Sequence, residues 1–179
     1  LGRIGGGYHQ LIGSTGSDMI GGTYNEINSA TNSTTVAGND NTINTAADNA
    51  TIVGGHGNLA SGGDGASVIG TQDGIISASD HSVLVGGVAS SVTSSTTAVI
   101  VGGGTTANPN TIGTSQYSAI VGGASSDIVD SFGSTIVGGG ISPQAGGTPE
   151  GGISWGLGHT IDDCLNAAIV GGSDNTLTG

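Results

Sequence analysis

Thirteen acidic residues and four histidines carry most of the titratable chemistry in this 179-residue chain, against one basic residue, Arg3. Acid–base catalysis needs two such groups aimed at one reacting centre, and a metal site needs several donors converging on one point. His9, His56, His81 and His159 are scattered without an H-x-x-x-H pair, and Cys164 is alone. The spacing therefore specifies neither a zinc site nor an intrachain disulfide. Asp80 precedes His81, and Asp162 and Asp163 follow His159, so acid and base are neighbours along the chain. Adjacent side chains in a strand point to opposite faces, however, and such neighbours do not converge. The expectation is a chain that is not an enzyme, with no catalytic residue and no metal centre.

The glycines raise two further chemistries. A phosphate cradle needs G-x-G-x-x-G or a Walker motif, and neither is present. The calcium nonapeptide G-G-x-G-x-D-x-U-x is echoed in "GGHGNLASG" (54–62) and "GGSDNTLTG" (171–179), but the first lacks the aspartate and the second misplaces it. Asp40 or Asp174 could hold an isolated calcium ion, yet the pattern specifies no array, and no cofactor is expected. A threonine face of the ice-binding kind would need an unbroken column. Thr34, Thr51 and Thr135 share one, but Asp18, Val83, Val99 and Ile153 interrupt it. Asn32 and Asn49 begin glycosylation-type triplets, a weak signal in a chain so rich in Asn, Ser and Thr. A net charge of -12 leaves no basic stripe for phosphates, so nucleic acid is not an expected partner. No apolar run is long enough to insert in a membrane as a helix.

The elements that hold these residues are set by a repeat. With 38 glycines and 3% aromatic residues, the chain is poorly supplied for a globular core, but 34% hydrophobic content argues against disorder. Alignment on Gly-Gly or its equivalent marks Gly5, Gly21, Ala37, Gly54, Gly70, Gly86, Gly102, Gly122, Gly138, Gly156 and Gly171. These eleven units are spaced by 16, 16, 17, 16, 16, 16, 20, 16, 18 and 15 residues. Before each glycine stands an apolar residue, in most units preceded by another, as in the five Ile-Val pairs, and about six residues after it runs a second apolar column through Leu11, Ile27, Ile43, Leu59, Ile76, Val92, Ile128, Ile161 and Leu177.

Branched residues between Gly, Asn and Ser clusters read as short strands, and so brief a unit leaves no room for a helix. The fold class expected is all-β: a parallel β-solenoid, or β-roll, of about eleven 16-residue coils, with residues 1–179 forming a single domain. Strands stacked about 4.8 Å apart would make a rod on the order of 50 Å long. Small residues four before the glycine, from Ser33 and Ala50 to Ser134 and Ala167, imply a narrow cross-section. Asn25, Asn41, Asn58 and Asn175, four after it, suit either a left-handed backbone or a stacked ladder. Tyr8 and Tyr24, three after their glycines, should stack at a turn.

The doublet carries the strongest functional signal. A solenoid has one interior, which accounts for one apolar face of each strand, whereas Ile-Val supplies two. Ile52, Val53, Ile100, Val101, Ile120, Val121, Ile136, Val137, Ile169 and Val170 are therefore assigned to the coil interior or to an interface between chains. Two lengthened units, "GTTANPNT" (104–111) and "GGISPQAGGTPEGG" (139–152), read either as loops on a binding face or as solvent-exposed turns free to drift in length. From these and the tryptophan that follows, the candidate receptor contacts are Asn108, Pro109, Asn110, Pro143, Gln144, Pro149 and Trp155.

The blocks "ATIVGGHGNLASG" (50–62), "SAIVGGASSDIV" (118–129) and "AAIVGGSDNTLTG" (167–179) resemble the head repeats of trimeric autotransporter adhesins and related repeats of viral, phage-type tail-fibre proteins. The resemblance spans essentially the whole chain. It implies three parallel coils wound side by side as a homotrimer, an extracellular location on a virion tail fibre or cell surface, and a host surface glycan or protein as ligand. The chain departs from the adhesin pattern in unit length and in its doubled glycine, and it contains no coiled-coil stalk or membrane anchor. The function expected is a non-enzymatic attachment module of a fibre, and the chain is expected to be a fragment or processed part of a longer one. The alternatives are a polysaccharide-degrading spike enzyme and a purely structural extracellular filament spacer.

Overall fold

Side chains alternate across a strand, so three consecutive residues can put only the middle one inside. All but one of the described strands are such triplets. The computed structural model describes residues 7–107, 109–124 and 126–138 in full, and the backbone alone of Gln144–Gly146, Gly152–Trp155, Thr160–Asp162, Ala167–Ile169 and Thr176–Thr178. Strands begin at Gln10, Asp18, Glu26 and Thr34, so the chain changes sheet every eight residues and returns every sixteen. Alternate strands stack into an 11-stranded sheet starting with Gln10–Ile12 and a 10-stranded sheet starting with Asp18–Ile20. The pairs are parallel, as in Ile52 beside Val68 and Leu84 beside Ile100. This is a parallel β-solenoid, with no helix among the described residues. About 8 turns are fully described, somewhat fewer than the eleven units counted in the sequence. Strand pairs beyond Val137 extend both stacks.

The sheet carrying the Ile-Val doublets is called the doublet sheet below, and the other the companion sheet. Met19, Ile52, Val68, Leu84, Ile100, Ile120 and Ile136 are the buried middle residues of the first. Ile27, Ile43, Ala60, Ile76, Val92, Ile112 and Ile128 face them from the second. Each fully buried isoleucine contributes about 1.5–3 kcal/mol from area removed from water. Between the two columns the walls are small: Ser17, Ser33, Ala50, Ala66, Ser82, Ala98, Ser118 and Ser134 are all buried. The narrow cross-section expected from these residues is present.

Two interior positions differ from the column read in sequence. Leu59 lies half-buried on the outer surface beside Thr42 and Ile75, and Ala60 takes the interior place between Ile43 and Ile76. Asn58 sets this register, because its buried side chain donates to Asn41 Oδ1 of one neighbouring coil and accepts from Gly74 N–H of the other, and a one-residue slip would turn every side chain of the strand to the other face. Ile112 was hidden by the lengthened unit before it, yet it is fully buried between Val92 and Ile128.

Most half-turns bend at two places with positive φ, and those with a doubled glycine, or Ala37 and Gly38 in its stead, add a third between them, as at Gly38 and Gly55 (φ 85 each). The first of the two places follows the strand directly, as at Ala37 (φ 55), Ala78 (φ 49) and Ser94 (φ 49), and the second lies three residues further, as at Asn32 (φ 52), Asp73 (φ 54) and His81 (φ 51). The doubled glycine divides its work accordingly. Gly54 occupies the first bend with nothing within 4 Å of an added Cβ, which is why Ala37 can stand at the matching place. Gly55 (φ +85) has the Thr71 carbonyl of the next coil where a Cβ would sit. Gly55 is thus required by close stacking on the next coil, Gly54 only by backbone handedness, whereas Thr71 takes the second place in its own coil without a positive φ.

Candidate functional site

Stacking separates the two members of each doublet. Ile52, Ile100, Ile120 and Ile136 are fully buried in the coil interior, whereas Val53, Val101 and Val121 are 37%, 39% and 41% exposed and Val137 is half-buried. In-register pairing then aligns the outer members as one column: Ile20, Val36, Val53, Ile69, Val85, Val101, Val121 and Val137. The other outward column of this sheet reads Asp18, Thr34, Thr51, Ser67, Val83, Val99, Ala119 and Thr135. The apolar surface is therefore one residue wide at first and two wide from Val83 to Ala119. Thr34 and Thr51 do stack, but Asp18 and Ser67 bound them, so the threonine column stays broken. Ile169 belongs to Ala167–Ile169, where it pairs with Ser154, and Val170 lies outside the described residues.

The asparagine column is a ladder, with none of its described members in the left-handed region. Asn41 N–H donates to Asn25 Oδ1 (3.1 Å), Asn58 N–H to Asn41 Oδ1 (3.2 Å) and Gly74 N–H to Asn58 Oδ1 (2.9 Å). Thr71 Oγ1–H also bonds Asn58 Oδ1. Asn110 belongs to the same series. It is fully buried, its amide nitrogen donates to the carbonyls of Gly102, Gly122 and Gly123, and its oxygen accepts from Ser126 N–H. Its assignment as a receptor contact is thereby corrected: the insertion ends where Asn110 re-enters the ladder, and no side-chain surface is left for a ligand. Serines extend the device to other corners, with Ser33 N–H donating to Ser17 Oγ and Ser95 N–H to Ser79 Oγ. These bonds satisfy backbone groups that the narrow interior would otherwise strand without water.

The other receptor candidates are dispersed. Asn108, Pro143 and Pro149 lie outside the described residues. Pro109 is half-buried in the insertion, whose exposed residues are Thr105, Thr106 and Ala107. Gln144 opens the strand Gln144–Gly146 beside Asp127 and Thr160, so the segment 139–152, expected to be a loop, contains part of the companion sheet. Trp155 ends Gly152–Trp155, with its backbone next to Val137 in the doublet sheet.

Several titratable groups sit on the narrow edges, while Asp18, Glu26 and Asp127 lie in strands. The His56 imidazole lies between Asp40 Oδ2 (3.7 Å) and Asp73 Oδ1 (3.8 Å) of the flanking coils, all three about half exposed. Such exposed pairs contribute little to stability. Asp80 does not partner His81; its Oδ1 accepts from Asp64 N–H (2.9 Å), just as Asp48 Oδ1 accepts from Thr31 N–H (2.7 Å). No three His, Cys, Asp or Glu converge on a point among the described residues.

Exposed aromatics come in pairs. Tyr8 and Tyr24 stack as expected, with centroids 5.4 Å apart and planes 10° from parallel. Tyr117 and Phe132 meet edge to face at 5.2 Å and 70°. The second pair went unrecognised in sequence because the neighbouring insertion obscures the repeat. No protein-family model matches this chain, and no curated protein matches it.

Proposed function

We propose that this rod is a non-enzymatic, self-assembling fibre module that spaces and presents an attachment surface. The observation that supports it is the outward column from Ile20 to Val137, eight β-branched residues in unbroken register. Seven steps of about 4.8 Å make it roughly 34 Å long. A solitary solenoid gains nothing from such a stripe, because each coil already has its interior isoleucines. Exposed contiguous apolar surface of this kind marks a contact with another molecule, and a second copy presents a stripe of the same length and spacing. Three copies, as the resemblance implies, would close their stripes around one axis and leave no apolar edge free. The fibre reading carries with it an extracellular place on a virion tail fibre or cell surface, and a host glycan or protein as ligand.

The mass of the protein in solution tests this directly. Sedimentation should give three times the chain mass, and Val53→Asp combined with Val121→Asp should give a folded single chain. A wild-type monomer across the micromolar range would overturn the assembly. A stable trimer that binds neither host surfaces nor glycans would reduce the module to a spacer.

A further inference from the structure

We propose that the corner cleft between the Tyr8–Tyr24 pair and the Gln10–Glu26 pair is a subsite for one neutral sugar unit of a glycan. The inference rests on the attachment reading above and gives it a place and a ligand class. A cavity of about 200 Å³ lies there, lined by Tyr8, His9, Gln10, Tyr24, Asn25 and Glu26. Stacked coils build it from two successive turns: the phenol rings form one wall, Gln10 and Glu26, adjacent in register, form the other, and His9 and Asn25 lie between. The two walls differ in chemistry as the faces and rim of a pyranose do. A ring face takes the C–H surface of the sugar, while an amide and a carboxylate take its hydroxyls.

Size and charge narrow the occupant. The cavity is below the roughly 300–1,000 Å³ of sites for drug-sized ligands and cofactors, so it suits a single ring. Among the described residues there is no lysine or arginine, and Glu26 lines the cleft. A sialic or uronic carboxylate would meet Glu26 with no lysine or arginine in the cleft lining, whereas a neutral hydroxyl can donate to the Glu26 carboxylate.

The floor supplies an unused partner. His9 stands at the place that Asn25, Asn41 and Asn58 take in the next three coils, yet neither of its ring nitrogens is hydrogen-bonded, although both are buried. Asn25, by contrast, is committed, its Oδ1 accepting from Asn41 N–H and its amide donating to Gly21 O. A buried imidazole without partners is costly, and turning it toward a hydroxyl in the cleft relieves that cost.

The test is a printed array of neutral, N-acetylated and acidic oligosaccharides probed with the full chain, followed by variants with melting curves as a check on the fold. Tyr24→Asn keeps a residue that tolerates the φ of 55 found there, and Glu26→Gln removes only the charge. Neutral glycans should bind, with affinity falling roughly tenfold in Tyr24→Asn and several-fold in Glu26→Gln. Tyr117→Asn is the control, because Tyr117 (58% exposed) matches Tyr24 (55% exposed) but lies on the opposite narrow edge. Glycan binding unchanged in both cleft variants would overturn the subsite and leave attachment standing elsewhere on the rod. Preference for acidic glycans, or silence across the array, would also overturn it without touching the assembly read from solution mass.

Discussion

The two sheets share one backbone plan and nearly one interior, yet their outward faces differ. The third strand residue of the doublet sheet is β-branched in all eight fully described coils, from Ile20 to Val137. The same place in the companion sheet reads Ile12, Asn28, Asn44, Ser61, Ser77, Thr93, Gly113 and Val129, polar or glycine in all but its two ends. A second apolar face was not expected there, and Ile12, Ile75 and Val129 are exposed exceptions to an otherwise polar surface. Because both sheets fold equally well, the outer apolar column is not needed for coiling. Folding uses the middle residues, and the contrast between the outer ones is left for assembly to explain.

Substitutions can break that contrast. The largest effect belongs to the interior: Ile128→Asp should destabilise the rod by about 3–5 kcal/mol as an unpaired buried charge, and unchanged denaturant unfolding would refute its placement. Gly55→Ala should cost at least about 2 kcal/mol from strain and collision with the next coil. Gly54→Ala should cost less, about 1–2 kcal/mol, so equal melting of the two variants would contradict the division of the doubled glycine. Thr35→Val should stabilise by about 1 kcal/mol, because the Thr35 hydroxyl is buried among the middle residues without a partner; a lower melting temperature would count against it. Smallest for the single chain are outward changes. Val121→Asp and Ser77→Asp should each move chain stability by less than about 0.5 kcal/mol, but only Val121→Asp should reduce the solution mass. Loss of mass in both would erase the distinction between the faces.

Much of this architecture is legible in residue order. The sixteen-residue spacing, the triplet strands, the buried small residues such as Ala50 and Ser118, and the stacking of Tyr8 on Tyr24 follow from local pattern. Harder to see was the inner eight-residue rhythm. Its bends fall on Ala46, Thr97, Thr114 and Asp130 as readily as on glycine, and no composition signal marks Ala or Thr for a left-handed backbone. Leu59 illustrates a related difficulty: apolar residues attract attention, but here a polar neighbour, Asn58, decided which side chain turned inward. Asn110 looked like part of an insertion because its offset from the glycine was wrong, although its bonds show it back in the ladder. The candidate cleft drew only its tyrosine pair from the sequence. Gln10, Glu26 and the unpartnered His9 join that pair only when successive turns are superposed.

By itself the sequence determined that this chain coils, because strand alternation and turn chemistry act within a few residues and repeat at a constant interval. The tertiary structure decided which member of each Ile-Val doublet is inside, where the stripe runs, and which polar groups bond across coils. Those outcomes depend on contacts between residues sixteen or more positions apart, such as Gly55 against Thr71 and Asn110 against Ser126. Local pattern sets the repeat, whereas the vertical register of one turn on the next turns a column of letters into a surface.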